Sequence, residues 1–380
     1  MSRNVLEAFP VAAHSPLHLL DALEEAMSGQ RSLLPVPLHD LARARALAHT
    51  MRAGNEIDAD IAVVMATSGS TGTPKGAQLT AVNLVASADA THQALGGVGN
   101  WLLALPAHHI AGLQVLTRSL VAGYEPLWID VSQGFDIAKF APAAQQLRDE
   151  SSRCYTALTP MQLLKAMDTL QGIEALQCFD AILVGGGPLR AEDQRAAQAL
   201  NISVVTTYGS SETAGGCVYD GKPLPGTTIR IENEQIILGG PTIAHGYRNL
   251  PNHEAFAEPG VYRTSDTGVL HQGRLTLTGR LDTIIDSGGL KLHPEVLERV
   301  IETTPGVVEV VVVGKPDPRL GHAIVAAYTG TATPADIIEA LDELPRWQLP
   351  KMVKKVAALP KTALGKIDRA KAAALFEEIS

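Results

Sequence analysis

The densest group of chemistry-bearing residues is Thr67 to Gly76, read as T-S-G-S-T-G-T-P-K-G. It packs glycines, hydroxyl side chains, one proline and Lys75 into a single short stretch. Glycines let backbone N–H groups approach an anion, hydroxyls add donors, and the lysine adds charge. Ahead of it runs Ile61-Ala62-Val63-Val64-Met65-Ala66, an apolar run of strand length that predicts a buried parallel strand. Behind it come Gln78-Leu79-Thr80 and a predicted helix over Ala81 to Ala94. Strand, glycine-rich loop and helix together suit a polyphosphate. The competing reading is a surface loop of turn-forming residues. A Walker A loop is excluded. Counted from Gly69, that motif needs glycine at Pro74 and serine or threonine at Gly76.

These residues resemble the phosphate loop of the adenylate-forming superfamily, which includes acyl- and aryl-CoA synthetases, luciferases and peptide-synthetase adenylation domains. Further segments resemble the same family, in its order. The resemblance implies ATP and AMP contacts from Thr67, Ser68, Gly69, Ser70, Thr71, Gly72 and Lys75. Gly185, Gly186 and Gly187 match a G-G-x-P loop lining the adenine and acyl pocket. Tyr208-Gly209-Ser210-Ser211-Glu212 resembles Y-G-x-T-E, with Ser211 for the usual threonine. Tyr208 can stack on adenine and Glu212 suits Mg²⁺. Gly209 and Ser211 complete the nucleotide side of this motif, and Ser210 the acid side. Asp266 and Arg280 match the residues that hold the ribose. Asp282 matches the hinge, and Gly288 and Gly289 the coenzyme A tunnel. Lys366, in Pro360 to Arg369, matches the P-x-T-x-x-G-K lysine that acts in adenylation.

Two further residues concern the acid. Pro106 to His109 resembles the family's P-x-x-H segment, which makes His109 the expected catalytic and acid-pocket histidine, with His108 the competitor if the alignment slips by one. Arg118 follows nine residues later on a predicted apolar helix, Gly112 to Val121. A surface arginine is the plain reading. The functional one is a carboxylate clamp, because a guanidinium binds carboxylates in a bidentate fork. The short chain, the P-x-x-H segment and this arginine resemble the family members that ligate 2-succinylbenzoate to coenzyme A in menaquinone biosynthesis. The implied reaction has two steps. ATP and the acid give an acyl-adenylate and pyrophosphate, and the coenzyme A thiol then displaces AMP. Another aryl- or fatty-acid–CoA ligase is the alternative. A non-catalytic nucleotide-binding protein is the remote one.

The elements that must position these groups read as α/β. Strands are expected over Leu102 to Leu105, Tyr155 to Leu158, Ala181 to Val184 and Val204 to Thr207, and single helices over Ala138 to Glu150 and Met161 to Leu170. Loops at strand ends argue for parallel sheets. Leu19 to Met27 and Leu38 to Met51 read as helices, and 55–60 as a polar turn. Short β runs from Gly221 to Arg248 suggest a small barrel-like region. A large domain, 1–281, is thus expected, with a mobile α+β lid over 283–380.

At 380 residues the chain exceeds one ordinary core. Hydrophobic residues at 46% and charged ones at 19% fit a globular protein. The net charge of −9 disfavours general nucleic-acid binding. Cys154, Cys178 and Cys217 lack metal-ligand spacing, so a reducing cytoplasm is expected. No secretory signal or membrane-spanning run is visible. A homodimer is compatible with the sequence.

Overall fold

The computed structural model describes residues 2–12, 14–67, 73–361 and 367–376. Ser68 to Gly72 and Lys366 lie outside the described residues. The chain divides into two units. The first is Met1–Arg230 with Ile237–Thr264 and Leu270–Leu275. The second is Ile231–Ile236, Ser265–Val269 and Thr276–Ser380.

The first unit begins with β1 (Arg3–Val11), α1 (His18–Met27), β2 (Ser32–Pro37), α2 (Leu41–Thr50), β3 (Glu56–Asp58), β4 (Ile61–Ala66), β5 (Gly76–Thr80) and α3 (Ala81–Ala94). The strands form one sheet in the order β3-β1-β2-β4-β5. It is parallel across β1, β2 and β4 and antiparallel at both edges. Ile61 to Met65 are all buried, as a run covered on both faces requires. The expected strand–loop–helix order is corrected here. The loop after β4 returns as β5, an antiparallel partner, and only then does α3 begin. The segment between β4 and β5 therefore joins two antiparallel strands and does not lead directly into a helix.

There follow β6 (Asn100–Leu103), α4 (Ile110–Ala122), β7 (Leu127–Trp128), α5 (Ile137–Glu150), β8 (Cys154–Leu158), α6 (Pro160–Met167), α7 (Leu170–Gln177), β9 (Ala181–Val184), α8 (Ala191–Ala199), β10 (Val204–Ser210), β11 (Gly215–Tyr219) and β12 (Lys222–Pro223). They build a seven-stranded sheet in the order β12-β11-β10-β9-β8-β6-β7, parallel from β10 to β7. Helices α1, α3 and α4 share one apolar core with both sheets, including Leu23, Val63, Leu84, Trp101, Leu113 and Tyr155. A second core lies under α5, α6 and α7. The single helix expected over 161–170 is two. Thr169 caps α7 by accepting from the Gly172 amide at 3.0 Å, which ends the first helix before it.

A four-stranded sheet runs β13 (Thr228–Glu232), β14 (Gln235–Gly239), β15 (Val261–His271), β16 (Arg274–Arg280). The second unit continues with β17 (Ile285–Ser287), β18 (Leu290–Leu292), α9 (Pro294–Glu302), β19 (Val307–Asp317), β20 (Gly321–Gly330), α10 (Pro334–Ala340), β21 (Met352–Lys355) and α11 (Arg369–Ala374). β19 and β20 are its long antiparallel spine, and α9 packs across β19. Among the described residues, no helix is long and apolar enough to cross a membrane.

One ion pair anchors the end of this unit. Arg369 forks onto both Glu298 oxygens at 2.6 and 2.8 Å and donates to the Val312 carbonyl. Glu298 also accepts from the Val312 amide at 2.7 Å. Removing Glu298 leaves Arg369, among the described residues, only the longer ion pair with Glu295, at 3.5 Å. Glu298→Ala should therefore cost about 3 kcal/mol of stability, read from urea unfolding of this unit's transition. An unchanged midpoint would show that solvent already neutralises the pair.

Candidate active site

The hairpin that carries Lys75 is extended by a distant segment. The Arg248 amide donates to the Gly76 carbonyl at 2.7 Å, the Gln78 amide to Gly246 at 3.0 Å, and the His245 amide to Gln78 at 2.9 Å. Asn249 closes the end. Its side chain accepts from the Gly76 amide and donates to the Pro74 carbonyl, at 3.0 and 2.9 Å. Residues 245–249 thus lie along β5 as an added strand. Gly76 permits this, because a Cβ there would strike the Met51 sulfur and a Val64 methyl. At the root of the loop, the Thr67 amide donates to the Lys75 carbonyl at 2.7 Å.

The added strand brings Tyr247 and His253 to Lys75. The ammonium lies 5.1 Å from the Tyr247 ring centroid and 3.3 Å from His253 Nε2. The phenol donates to Glu212 Oε1 at 2.7 Å. Burial and the Glu212 carboxylate push that phenol well above its usual range, so it stays a donor. His253, Tyr247, Phe256 and Tyr262 form a chain of aromatic contacts at 5.0 to 5.1 Å. Sequence reading missed Tyr247 and His253. They lie more than 170 residues from Lys75 in the chain, and no local spacing marks them.

Glu212 is buried on the short turn after β10. Tyr208, Gly209 and Ser210 are not in a loop beyond that strand but are its last residues. Gly209 is needed because β11 turns back so closely that a Cβ would enter the Gly215 carbonyl. Ser211 is buried beside Glu212. Ala214 closes the turn in the left-handed region (φ 50°), and its carbonyl accepts from Ser87 at 2.9 Å and Gln114 at 2.7 Å. Among the described residues, no three metal-ligating side chains gather. A single buried carboxylate suits Mg²⁺, which takes most of its ligands from phosphate and water.

His109 is the N-cap of α4, and its ring lies 4.3 Å from that of His108. His108 is the more buried of the two. Burial first, and then His109 and Arg43, holds His108 down at about 3. Burial and Arg43 hold His109 at about 4. Both rings are neutral at neutral pH, so neither supplies positive charge. The unfolded rings titrate near their ordinary value of about 6.5. Between these values the unfolded chain binds more protons, so stability is complete above that range and falls with the pH. The thermal midpoint should drop from pH 7 to pH 5, and His108→Gln should flatten that slope. An identical slope in the variant would refute the assignment.

Arg118 is not on the surface. It is 3% exposed, on the α4 face that carries Ile110 and Gln114 toward β11. Its guanidinium stacks 4.9 Å over Trp101, and Nε is buried without a hydrogen bond. Burial lowers its pKa, offset only by Tyr219. No carboxylate pairs with it among the described residues. His92 is buried close by, with both ring nitrogens unpartnered, held at about 4 by burial and then by Arg118.

Gly185 to Gly187 follow β9. A Cβ at Gly185 would strike the Thr207 hydroxyl, and Gly186 sits at φ +80°. In the second unit, Arg280 joins two expected site residues. It donates to Asp266 at 2.7 Å and forks onto Asp282 at 2.8 and 2.7 Å. Gly288 and Gly289 form the turn between β17 and β18, at φ +65° and +81°. Backbone conformation, not crowding, requires glycine at Gly289, since nothing lies within 4 Å of a Cβ there. On either side of the segment carrying Lys366, Lys361 and Ile367 pair as an antiparallel bridge.

The hairpin loop, the buried glutamate and the two-unit division define a class, and comparison agrees. The chain belongs to the AMP-binding enzyme family. The match covers residues 18–248, and the AMP-binding enzyme C-terminal domain matches 296–366. Among its relatives is the probable 2-succinylbenzoate–CoA ligase of Mycobacterium tuberculosis, 44% identical over 363 residues and 93% of each chain. The 2-succinylbenzoate–CoA ligase of Escherichia coli is 32% identical, over 75% of this chain and 62% of its own length. Among solved structures, o-succinylbenzoate CoA synthetase (MenE) from Bacillus subtilis, in complex with the acyl-adenylate intermediate OSB-AMP, superposes with a TM-score of 0.74 at 25% identity, over 95% of this chain and 81% of that one. ATP-bound MatB from Rhodopseudomonas palustris shares the fold, with a TM-score of 0.85 at 20% identity, over 100% and 90% of the two chains.

Proposed function

We propose that this chain is an AMP-forming acid–thiol ligase that joins 2-succinylbenzoate to coenzyme A through an acyl-adenylate, in menaquinone biosynthesis. The observation that carries the reading is the relative of that name, 44% identical across 93% of both chains. The cluster of Lys75, Tyr247 and Glu212 supports it. In adenylation the acid carboxylate attacks the α-phosphorus of ATP, and the bond to pyrophosphate breaks. The hairpin loop, Ser68 to Gly72 with Thr67 and Lys75, holds the departing phosphates. Tyr247 fixes Glu212 Oε1 and leaves the other oxygen free for Mg²⁺. When bound, that ion neutralises charge on the phosphate oxygens. Tyr208, Gly209, Ser211, Gly186 and Gly187 take the nucleotide, and Asp266 and Arg280 the ribose. Gly185, Ser210 and the neutral ring of His109 shape the acid pocket, and Arg118 holds the acid's second carboxylate.

Lys366 supplies positive charge in the first step. Asp282 serves as the hinge between domains at 1–281 and 283–380, and Gly288 and Gly289 line the thiol path. The test is incubation with ATP, Mg²⁺, coenzyme A and 2-succinylbenzoate, with thioester and pyrophosphate followed by mass. A coenzyme A thioester of this acid is the expected product. Turnover of benzoate or fatty acids alone would keep the reaction class and discard the acid.

A further inference from the structure

The contact between Lys75 and His253 is unusual in kind. His253 Nδ1 accepts a hydrogen bond from the Ala255 amide at 3.1 Å. An imidazole nitrogen that accepts carries no proton, so in the neutral ring the proton is on Nε2. In that tautomer Nε2 carries its proton 3.3 Å from the Lys75 ammonium. Two donors face each other, and neither can accept from the other. Burial, and then Lys75, lowers the pKa of His253, which keeps the ring neutral. The arrangement is held from outside the pair. The ring of His253 packs at an angle of 85° on Tyr247, which is fixed by Glu212. His253 itself caps a short turn, Glu254–Phe256. Two donors side by side, with no acceptor between them among the described residues, form a site for an oxyanion.

We infer that His253 is a positioning residue for the pyrophosphate end of ATP, its Nε2–H and the Lys75 ammonium gripping non-bridging phosphate oxygens from two sides. This deepens the ligase reading and rests on it for the identity of the nucleotide. The pair adds no covalent step. It binds the phosphates that leave as pyrophosphate, so it acts on adenylation and not on thioester formation.

Two isosteres separate the roles of the two ring nitrogens. His253→Asn keeps an acceptor for the Ala255 amide and removes the Nε2 donor. His253→Gln keeps a donor near Nε2 and loses the cap. Binding of ATP and of inorganic pyrophosphate is measured by calorimetry, alongside thermal unfolding. We expect His253→Asn to weaken both ligands about tenfold, the loss of one hydrogen bond to a charged group, with an unchanged thermal midpoint. His253→Gln should restore most of the affinity at a lower midpoint. In turnover, the KM for ATP should rise in His253→Asn, while the KM for the acid and the reaction of preformed acyl-adenylate with coenzyme A stay as in the wild type. Unchanged affinity for both ligands, or losses that track the thermal midpoint in both variants, would overturn the assignment. Because calorimetry uses no acid, a wrong substrate leaves this result intact and shows instead as bound ATP without thioester.

Discussion

Lys366→Ala should abolish adenylation for practical purposes, slowing it by about 10²–10³-fold, while preformed acyl-adenylate still reacts with coenzyme A at close to the wild-type rate. In the first half-reaction charge builds at the α-phosphorus and on the departing pyrophosphate. Removing one preorganised donor to developing charge costs roughly 3–4 kcal/mol. The second half-reaction displaces AMP at a carbonyl carbon and leaves the α-phosphorus unattacked. The structure offers a control. Arg369 lies three residues further on and is clamped by Glu298. Glu298→Ala loosens the anchor without touching the lysine, so its effect on adenylation should be severalfold and not hundreds. Rapid-quench measurement of each half-reaction separates these outcomes. Equal loss of both halves in Lys366→Ala would refute the assigned role.

Arg118→Leu should raise the KM for 2-succinylbenzoate by about 10²-fold or more, leave the KM for ATP within twofold, and leave the thermal midpoint equal or higher. A buried charge without a partner is costly, and a carboxylate that pairs with it recovers several kcal/mol. Arg118 is such a charge, with Nε unpaired, the face of Trp101 against it, and no carboxylate paired with it among the described residues. Leucine fills similar space without the desolvation cost, so the empty protein loses nothing. A lower midpoint with an unchanged KM for the acid would mean that the arginine serves only to stack on Trp101.

What the sequence revealed and concealed follows a physical line. β4 was legible because Ile61 to Met65 is apolar on both faces, and the hydroxyl-rich loop because its composition has few other uses. Arg118 was visible as an arginine on an apolar helix, but its burial was not. β1 and β2 were invisible. β2 reads Ser-Leu-Leu-Pro-Val-Pro, and prolines argue against a central strand. They are tolerated because β2 pairs with β4 only at Leu33, so Pro35 and Pro37 lie beyond that ladder. β5 was absorbed into the approach to α3, because Gln78-Leu79-Thr80 is too short a run to mark a strand by itself. Tyr247 and His253 had no local signature, because their meaning comes from one strand pairing across the unit.

That pairing also bears on how the protein is made. Lys75 and His253 are 178 residues apart, and all of the intervening chain except Ile231–Ile236 belongs to the first unit. At a synthesis rate of about 5–20 residues per second, Lys75 leaves the ribosome roughly 10–35 s before its partner. Over that interval β5 presents an unpaired edge, the kind of surface that recruits other strands. Such non-local contacts also place the protein among slow folders. The contact between Lys75 and His253 is therefore completed late, and a chain released before His253 carries β5 without residues 245–249 against it.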